Sequence, residues 1–381
     1  MRKVGLFFLS LIMFAIGVVA GFVGVLVYQK PESDVLINGD LAIHFLELGN
    51  IYTGDCVYIK AGDADILIDA GSKNESTYSS APTIINYLNQ YVTDNTLEYV
   101  IATHAHEDHL AAFYSTNNIT GIFDSFKTET IIDFPKTDKT NPGPTSVLGR
   151  YITYRDKEVE EGATHYTALQ CYKETDGAKR VYELTDGIEM EILYNYYYEN
   201  DTPGTDENDY SVCMMINQGD NHYLFTGDLE ESGESHLVDY YKDNHGGLPK
   251  CVLYKGGHHG SKTSSSSKLL TAIDPEIVCV CSCCGTSEYT DANENQFVTQ
   301  SFIDRVSEHT DRVYVTTMVD NYVEKDLWDD QGTVKSMNGN IIVIVSRGEI
   351  KVKCSNNDTK LKDTDWFKAN RVCPDKWKET A

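Results

Sequence analysis

Positive charge is scarce in this sequence. Its 381 residues include 32 Lys and Arg against 58 Asp and Glu, a formal net charge of −26. Only Arg2, Lys3 and Lys30 are charged before Pro31, so the remaining chain has 29 basic and 58 acidic residues and a net charge of −29. Such a surface repels polyanions, and nucleic-acid binding normally requires a basic face. The composition argues against long nucleic acids as partners. It is compatible with a small anionic substrate, because a metal site supplies its own positive charge.

The N-terminal segment lacks charge altogether between residues 4 and 28, a run of 25 residues. A helix needs about 20 apolar residues to cross a bilayer, whereas the apolar part of a secretory signal has about 7–15. The length predicts a membrane anchor over residues 1–30, with the two preceding basic residues keeping the N-terminus in the cytoplasm. The following domain is then extracytoplasmic. The small residues at 18–20 leave an alternative open, in which a signal is cleaved and the domain is secreted.

The ten cysteines lack the CxxC pairs of the usual zinc sites. The cluster "VCVCSCCG" (278–285) is instead typical of a buried strand in which Cys serves as a small apolar residue. Alternation predicts Cys279, Cys281 and Cys283 on one face. Metal binding by this cluster is the less favoured alternative. The even count also permits disulfides, whose pairing the spacing does not determine.

The sequence has no repeat of fixed short period and no low-complexity tract beyond the serines at 264–267. A polar, turn-rich segment predicts a linker over 31–39, and the charged residues 347–381 predict a C-terminal tail. Between them, strand-like and helical segments alternate, but hairpins such as 211–229 also occur. Hairpins exclude a simple doubly wound parallel sheet. The pattern predicts one α/β domain over 40–346, in which mixed sheets are covered by helices.

Histidine is also rare, with 11 in the whole chain, yet three stand within the segment "HAHEDH" (104–109). The segment follows the strand-like run "YVIA" and leads into a predicted helix over 108–116. In an extended backbone His104 and His106 point the same way, while Asp108 and His109 lie on the first helical turn. Imidazole and carboxylate together suit Zn²⁺, Mn²⁺ or iron. The segment therefore predicts ligands for two neighbouring metal ions.

Two further predicted strands end in residues of the same type. "FTGDL" (225–229) presents Asp228, and "GGHHGS" (256–261) presents His258 and His259. A Gly-Asp turn alone is a weak signal and a His pair alone a moderate one. Three strand ends that all carry ligand-type residues predict a metal centre assembled from distant parts of the chain.

These motifs resemble those of a known family. "HAHEDH" matches the HxHxDH motif of the metallo-β-lactamase fold hydrolases, and "ILIDAG" (66–71) matches the strand and turn that precede it. "DENDYS" (206–211), "LFTGDL" (224–229) and "HHGSKTSS" (258–265) are similar to the subgroup related to the extracytoplasmic hydrolase domain of the competence protein ComEC. The resemblance covers residues 40–346. It implies an αββα sandwich of two mixed β-sheets with outer helices, here preceded by one transmembrane helix, and a dinuclear metal site at one edge.

The resemblance also implies roles for individual residues. His104 and His106 would bind one metal, and Asp108, His109 and one residue of the His258–His259 pair would bind the other. We expect His259 to be that ligand and His258 to be catalytic or to contact the substrate. Asp228 would bridge the two ions, for which Zn²⁺ is expected and Mn²⁺ is the alternative. Asp108 would act with Asp228 in orienting a hydroxide that bridges the metals.

The sequence departs from the family pattern in two places. Many members supply a third histidine to the first metal, but this chain has none between His165 and His222. Asp206, Asn208 or water must then complete that site. The usual "DHxGG" reads Asp-His-Leu-Ala-Ala over 108–112, and the additional Cβ atoms are expected to narrow this turn.

The sequence as a whole predicts a membrane-anchored, extracytoplasmic hydrolase with two metal ions. The motif set favours phosphodiesters, and the acidic surface favours a small or surface-bound substrate. Two alternatives stay open. One is a lactone or amide hydrolase on the same fold, and the other is a non-catalytic surface binding module that the missing third histidine would suit.

Overall fold

The structure, a computed structural model, describes residues 41–379 except 74–78, 117, 203 and 324–330. Within these residues, the helices are all too short or too polar to cross a membrane. The predicted anchor (1–30) and linker (31–39) lie outside the described residues.

The first of two β-sheets has the strand order β16-β15-β1-β2-β3-β4-β5-β6. Strands β3 to β6 are parallel to one another, and the remaining pairs are antiparallel. The strands are β1 (Leu41–Phe45), β2 (Val57–Ala61), β3 (Ala64–Ile68), β4 (Thr96–Ala102), β5 (Lys127–Asp133), β6 (Thr164–Thr167), β15 (Ile341–Ser346) and β16 (Glu349–Cys354).

The second sheet has the order β14-β13-β12-β11-β10-β9-β8-β7. Strands β10 to β13 are parallel, and its other pairs are antiparallel. The strands are β7 (Val181–Thr185), β8 (Ile188–Ile192), β9 (Met214–Gln218), β10 (Asn221–Phe225), β11 (Leu253–Lys255), β12 (Ile277–Cys284), β13 (Val313–Val323) and β14 (Gln331–Ser336). The prediction of two mixed sheets is confirmed.

Helices cover the sheets. The described α-helices are α1 (Ala81–Leu88), α2 (Glu107–Leu110), α3 (Val147–Glu160), α4 (Ala168–Lys173), α5 (Glu231–His245), α6 (Ser267–Ile273), α7 (Gln300–Ser307), α8 (Asp365–Asn370) and α9 (Asp375–Lys378). Buried residues of α1 and α3 belong to one core with both sheets, and those of α5, α6 and α7 belong to a second core on the second sheet. Burial of these apolar faces is the main stabilising contribution to such an arrangement.

Strand β12 contains the cysteine cluster, and all eight of its residues are buried. Cys279 and Cys281 belong to the core shared by the sheets, whereas Cys284 packs into the second core. The register of β12 shifts between Val280 and Cys283, so strict alternation ends there. All ten cysteines lie in the described residues and are free thiols.

Residues 347–381, predicted as a tail, contribute to the fold over their described part. β16 pairs antiparallel with β15 at the edge of the first sheet. Trp366, Phe367 and Trp377 of the last two helices are buried in the second core. The sequence did not predict β16, because its residues alternate between exposed and half-buried positions, as in an edge strand.

Candidate metal centre

The predicted histidine segment follows β4 at the carboxyl edge of the first sheet. Thr103 anchors it, because its backbone N–H and its hydroxyl both donate to the Asp69 carboxylate, each at 2.8 Å. Asp69 directly follows β3, which runs parallel to β4, so the two strands end side by side. These bonds fix the start of the histidine segment relative to the sheet.

The turn that contains Asp108 and His109 is held closely against the preceding loops. The carbonyl of Asp108 accepts from the N–H of Asp55 at 2.9 Å, and that of His109 accepts from Ala70 at 2.9 Å. A Cβ on Gly71 would lie 1.8 Å from the Asp108 carbonyl oxygen, so this position requires glycine. The predicted helix over 108–116 is wrong in length, since α2 ends at Leu110 as the chain turns back towards β3.

The second sheet brings Asp228 and the histidine pair to its own carboxyl edge. Asp228 lies just beyond β10, and His259 just beyond the parallel strand β11. His258 and His259 both adopt left-handed backbone conformations, with φ of 46° and 54°. A left-handed residue other than glycine costs roughly 1–2 kcal/mol. Two in succession indicate a turn whose geometry is imposed by its surroundings, as is common at functional sites.

The two sheet edges meet at Asp228. Its Oδ2 lies 3.1 Å from Nε2 of His109 and 3.2 Å from Nε2 of His259. Nε2 of His259 is also 3.3 Å from Oδ2 of Asp108. These four predicted ligands, two from each sheet, thus surround one small volume.

His104 and His106 form a second group beside the first. Nε2 of His104 lies 3.0 Å from Nδ1 of His106, and the His104 ring centroid is 4.1 Å from that of His109. Ser211 connects the groups, because its hydroxyl accepts from the N–H of Asp228 at 3.0 Å and lies 3.5 Å from Nδ1 of His104. All six predicted metal ligands therefore lie together, in the two adjacent groups that two metal ions would require.

A potential metal-binding set in the described residues includes a residue that the sequence did not predict as a ligand. One ligand atom each from Asp55, His109, Asp228 and His259 lies within 4.8 Å of the others. Asp55, however, contacts the buried ammonium of Lys255, and its Oδ1 lies 3.2 Å from Nδ1 of His259. The hydrogen bond that orients the His259 ring runs from its Nδ1 to the carbonyl of Cys281, at 3.1 Å. We interpret Asp55 as a charged neighbour of this ring and not as a ligand, since a carboxylate paired with a lysine is a poor metal ligand.

The donor set fits a cation. Nε2 of His259 and Oδ1 of Asp228 are buried and have no hydrogen bond of acceptable geometry to any described residue. Buried polar atoms without partners are costly unless another group satisfies them. Neutral imidazole and carboxylate are the ligands of Zn²⁺ and Mn²⁺. A cation between these residues would satisfy the atoms that the protein itself leaves unbonded.

The electrostatics of the cluster follow from burial and from the facing carboxylates. Burial lowers the pKa of His104 well below its usual range, and His109 adds to the effect. Burial also favours neutral His109, but Asp228 and Asp69 outweigh it and raise its pKa well above the usual range. Asp228 and Asp55 raise the pKa of His259 in the same way. Imidazolium cations thus balance the carboxylates in the absence of metal, and a metal ion would displace their protons.

His258 lies at the rim of the cluster, with its side chain 20% exposed. Its Nδ1 is 3.2 Å from Oγ1 of Thr263 and 3.5 Å from Oε1 of Glu230. His259 lies inside the cluster, and His258 faces its outer side. Both of these contacts with described residues involve Nδ1 of His258. Its Nε2 is therefore the atom that can face a substrate.

The segment in place of the third histidine supports the histidine loop through Glu207. Its Oε1 accepts from the N–H of Ala105 at 2.9 Å, and its Oε2 accepts from the hydroxyl of Thr137 at 2.7 Å. The participation of Asp206 or Asn208 in metal binding stays a prediction. At the other departure, Ala111 has ordinary helical angles (φ −63°, ψ −25°).

Sequence reasoning missed three residues of the site: Asp55, Asp69 and Lys255. Asp69 stands in the quoted "ILIDAG" motif and accepts from Nδ1 of His109 at 2.8 Å, which orients that ring. Lys255 had one usable signal, a lysine at the end of the otherwise uncharged run "CVLY". Asp55 had none beyond a Gly-Asp pair before an apolar strand.

Parts of the chain are similar to known proteins. Residues 49–115 match the family model of the metallo-beta-lactamase superfamily. The competence protein ComA of Neisseria gonorrhoeae is 36% identical over 124 residues, which are 32% of this chain and 16% of the relative. The ComE operon protein 3 of Bacillus subtilis is 24% identical over 113 residues, which are 29% of this chain and 14% of the relative. The chain thus spans less than a fifth of the length of these relatives.

A similar solved structure is the metallo-beta-lactamase fold protein YhfI from Bacillus subtilis, with 10% identity and a TM-score of 0.40. The alignment covers 77% of this chain and 99% of that protein. The resemblance predicted from the sequence is confirmed by the match of residues 49–115 to the superfamily model and by the similarity to ComA and ComE operon protein 3.

Proposed function

We propose that the protein is a metal-dependent hydrolase that holds two divalent cations and cleaves a small or surface-bound phosphodiester outside the cytoplasm. One observation carries the proposal. Buried imidazoles and carboxylates from both sheets converge on Asp228, and some of their polar atoms have no hydrogen bond of acceptable geometry among the described residues. Two divalent cations would supply Lewis acidity and a water molecule activated for attack at neutral pH.

The charge of the site supports an anionic substrate. Four carboxylates lie in or beside the cluster and face one buried ammonium, that of Lys255, which leaves three negative charges when the imidazoles are neutral. Two divalent cations would reverse the sign of the site. A phosphodiester would then be attracted locally, while the acidic surface disfavours long polyanions. The four carboxylates are those of Asp55, Asp69, Asp108 and Asp228.

The chain's own residues have distinct roles in this proposal. Asp228 and Asp108 orient the attacking water, because both carboxylates face the centre of the cluster. Asp69 and the carbonyl of Cys281 keep the rings of His109 and His259 in place through their Nδ1 atoms, and Asp55 adds a negative charge beside His259. His258 protonates the leaving oxygen, and its contact with Glu230 keeps the ring at the rim.

The experiment is a metal and substrate assay of the full-length protein. After incubation with Zn²⁺ or Mn²⁺ and removal of free metal, we expect about two equivalents bound per chain. We then expect cleavage of bis(p-nitrophenyl) phosphate and little opening of a lactone. Opening of the lactone alone would overturn the phosphodiester assignment. No bound metal and no turnover would overturn the enzyme assignment in favour of a binding module.

Asp108→Ala provides the matched test of the site. The side chain is 15% exposed and its removal leaves the backbone contacts of the turn in place, so the variant is expected to fold. We expect kcat to fall by about 100-fold or more, because the water loses an orienting carboxylate. Asp124→Ala, which removes a surface partner of Lys157, serves as control and should retain wild-type activity. Equal activity of the two variants would refute the site.

We also propose that residues 4–28 anchor the protein in the cell membrane with the hydrolase domain outside. The uncharged length of this segment and the two basic residues before it support the proposal. The expected result is that the protein stays in the membrane fraction after carbonate extraction and that external protease reaches the domain. Recovery of a shortened protein in the medium would indicate cleavage and secretion instead.

A further inference from the structure

The side chain of Tyr289 is exposed to solvent, but its hydroxyl reaches the candidate metal centre. It lies in the loop after β12, and it is 58% exposed, one of three large apolar side chains in the described residues that are well exposed. Its hydroxyl nevertheless reaches the candidate site, where it donates to Oδ2 of Asp108 at 3.3 Å. The same oxygen lies 3.3 Å from Nε2 of His259. The phenol and the imidazole therefore meet on one carboxylate oxygen.

The loop holds Tyr289 in this position. The neighbouring Glu288 accepts from the N–H of Thr53 at 2.8 Å and pairs with Lys73 at 3.3 Å. At the base of the loop, the N–H of Gly285 donates to the carbonyl of Phe297 at 2.7 Å. These contacts hold the loop that carries Tyr289, and a donor on a fixed loop meets the condition for a preorganised hydrogen bond.

Tyr289 also stands on the open side of the cluster. The side chain of Asp108 is 15% exposed, whereas those of Asp228 and His259 are at most 2% exposed. A substrate can therefore reach the cluster past Asp108 and along the exposed ring of Tyr289. Phe297 extends this wall, since its ring centroid lies 5.4 Å from that of Tyr289 and 5.8 Å from that of His259.

We propose that Tyr289 is a catalytic residue whose hydroxyl donates a hydrogen bond to the substrate oxygen on which negative charge develops. This inference rests on the proposed function. When a cation binds the Asp108 carboxylate, its Oδ2 becomes a weaker acceptor for the Tyr289 hydroxyl. The hydroxyl can then donate to another oxygen nearby. An oxygen of a bound phosphodiester provides that acceptor, and a fixed donor facing developing charge lowers the barrier for its cleavage.

The test compares Tyr289→Phe with the wild-type full-length protein, both loaded with Zn²⁺, on bis(p-nitrophenyl) phosphate. The substitution keeps the ring and removes only the hydroxyl, so folding is not at risk. We expect kcat to fall about 100-fold with KM within about twofold, the signature of a contact made in the transition state. Bound zinc should equal that of the wild type. Tyr166→Phe, a half-buried tyrosine on β6 at the far edge of the first sheet, is the control and should behave as wild type.

Two results would overturn the role of Tyr289. An unchanged kcat would mean that the hydroxyl touches no reacting atom. A lower kcat with a matching loss of bound zinc would make Tyr289 a positioning residue for Asp108. Failure of the proposed function would be visible separately, as a wild-type protein that holds zinc and leaves the phosphodiester intact, and it would refute both proposals.

Discussion

The ammonium group of Lys255 contacts the carboxylate of Asp55 in the interior, and neither side chain is more than 2% exposed. The same ammonium lies 3.9 Å from Oδ1 of Asp228. Burial opposes charge on Lys255, but Asp55 and Asp228 outweigh it and raise its pKa. Removing one partner of a buried ion pair leaves the other charge uncompensated. This costs more stability than replacing both partners with uncharged residues.

Lys255→Met should therefore destabilise the metal-free protein by about 3–5 kcal/mol, measured by urea unfolding. The double variant Lys255→Met, Asp55→Asn removes both charges and should recover part of that loss. If the single variant were as stable as the wild type, Asp55 would not depend on Lys255 for compensation.

Asp69→Asn should weaken metal binding without removing a ligand. Asp69 accepts from Nδ1 of His109 at 2.8 Å, and a carboxylate in this position fixes the ring and makes it a better ligand. We expect the dissociation constant for Zn²⁺ to rise about 10- to 100-fold in competition with a chelating dye. Asp63→Asn, at an exposed turn between β2 and β3, is the matched control. Equal affinity in both variants would contradict this role.

Gly71→Ala tests the close approach of two loops. The new methyl group would lie 1.8 Å from the carbonyl oxygen of Asp108 and 2.3 Å from the N–H nitrogen of His109, so the turn that presents these side chains must move. We expect a loss of about 1–3 kcal/mol or more in unfolding free energy, together with fewer equivalents of bound zinc. Gly143→Ala, where a methyl group meets nothing within 4 Å, should change neither quantity.

His44 should make the fold sensitive to acid. It is buried in β1 with Nδ1 2.8 Å from the hydroxyl of Tyr87, and burial lowers its pKa to about 3. The unfolded chain takes up a proton near pH 6.5, whereas the folded protein does not until about pH 3. Between these values the unfolded state binds more protons, so the unfolding free energy falls as pH falls.

His44→Phe should remove this contribution. Between pH 7 and pH 5, we expect the unfolding free energy of the variant to fall by about 2 kcal/mol less than that of the wild type, because one unit of pKa is worth about 1.4 kcal/mol. Urea unfolding at the two pH values measures the difference. The control is His245→Phe at the exposed end of α5, and the prediction fails if its pH dependence matches that of His44→Phe.

The sequence alone located the histidine segment and the two other ligand-bearing turns because each follows an apolar run that forms a strand. Parallel strands bring their carboxyl ends to one sheet edge, so a residue that directly follows such a strand is predicted to lie at that edge. Asp228 and His109 are 119 residues apart, and the prediction that they meet rested on the ligand-type residues at three strand ends together with the family resemblance.

Other features had no signal of that kind. Asp55 precedes β2, which is antiparallel to its neighbours, and its role depends on a lysine in the other sheet. Tyr289 reaches Asp108 only through the path of its loop, which composition does not determine. The short α2 reflects a tertiary bond, since the N–H of Ala112 donates to the carbonyl of Ala70 at 2.7 Å.

The ligand set is divided between two stretches of the polypeptide, and the loop between α4 and β7 separates them. Everything that Asp228 and His259 contribute lies after this loop, and the whole histidine segment lies before it. A protein cut there would yield two pieces, neither of which holds the full set of ligands, so binding of both metal ions would require the pieces to reassociate. Metal binding at this centre would thereby tie the two stretches of the fold to each other.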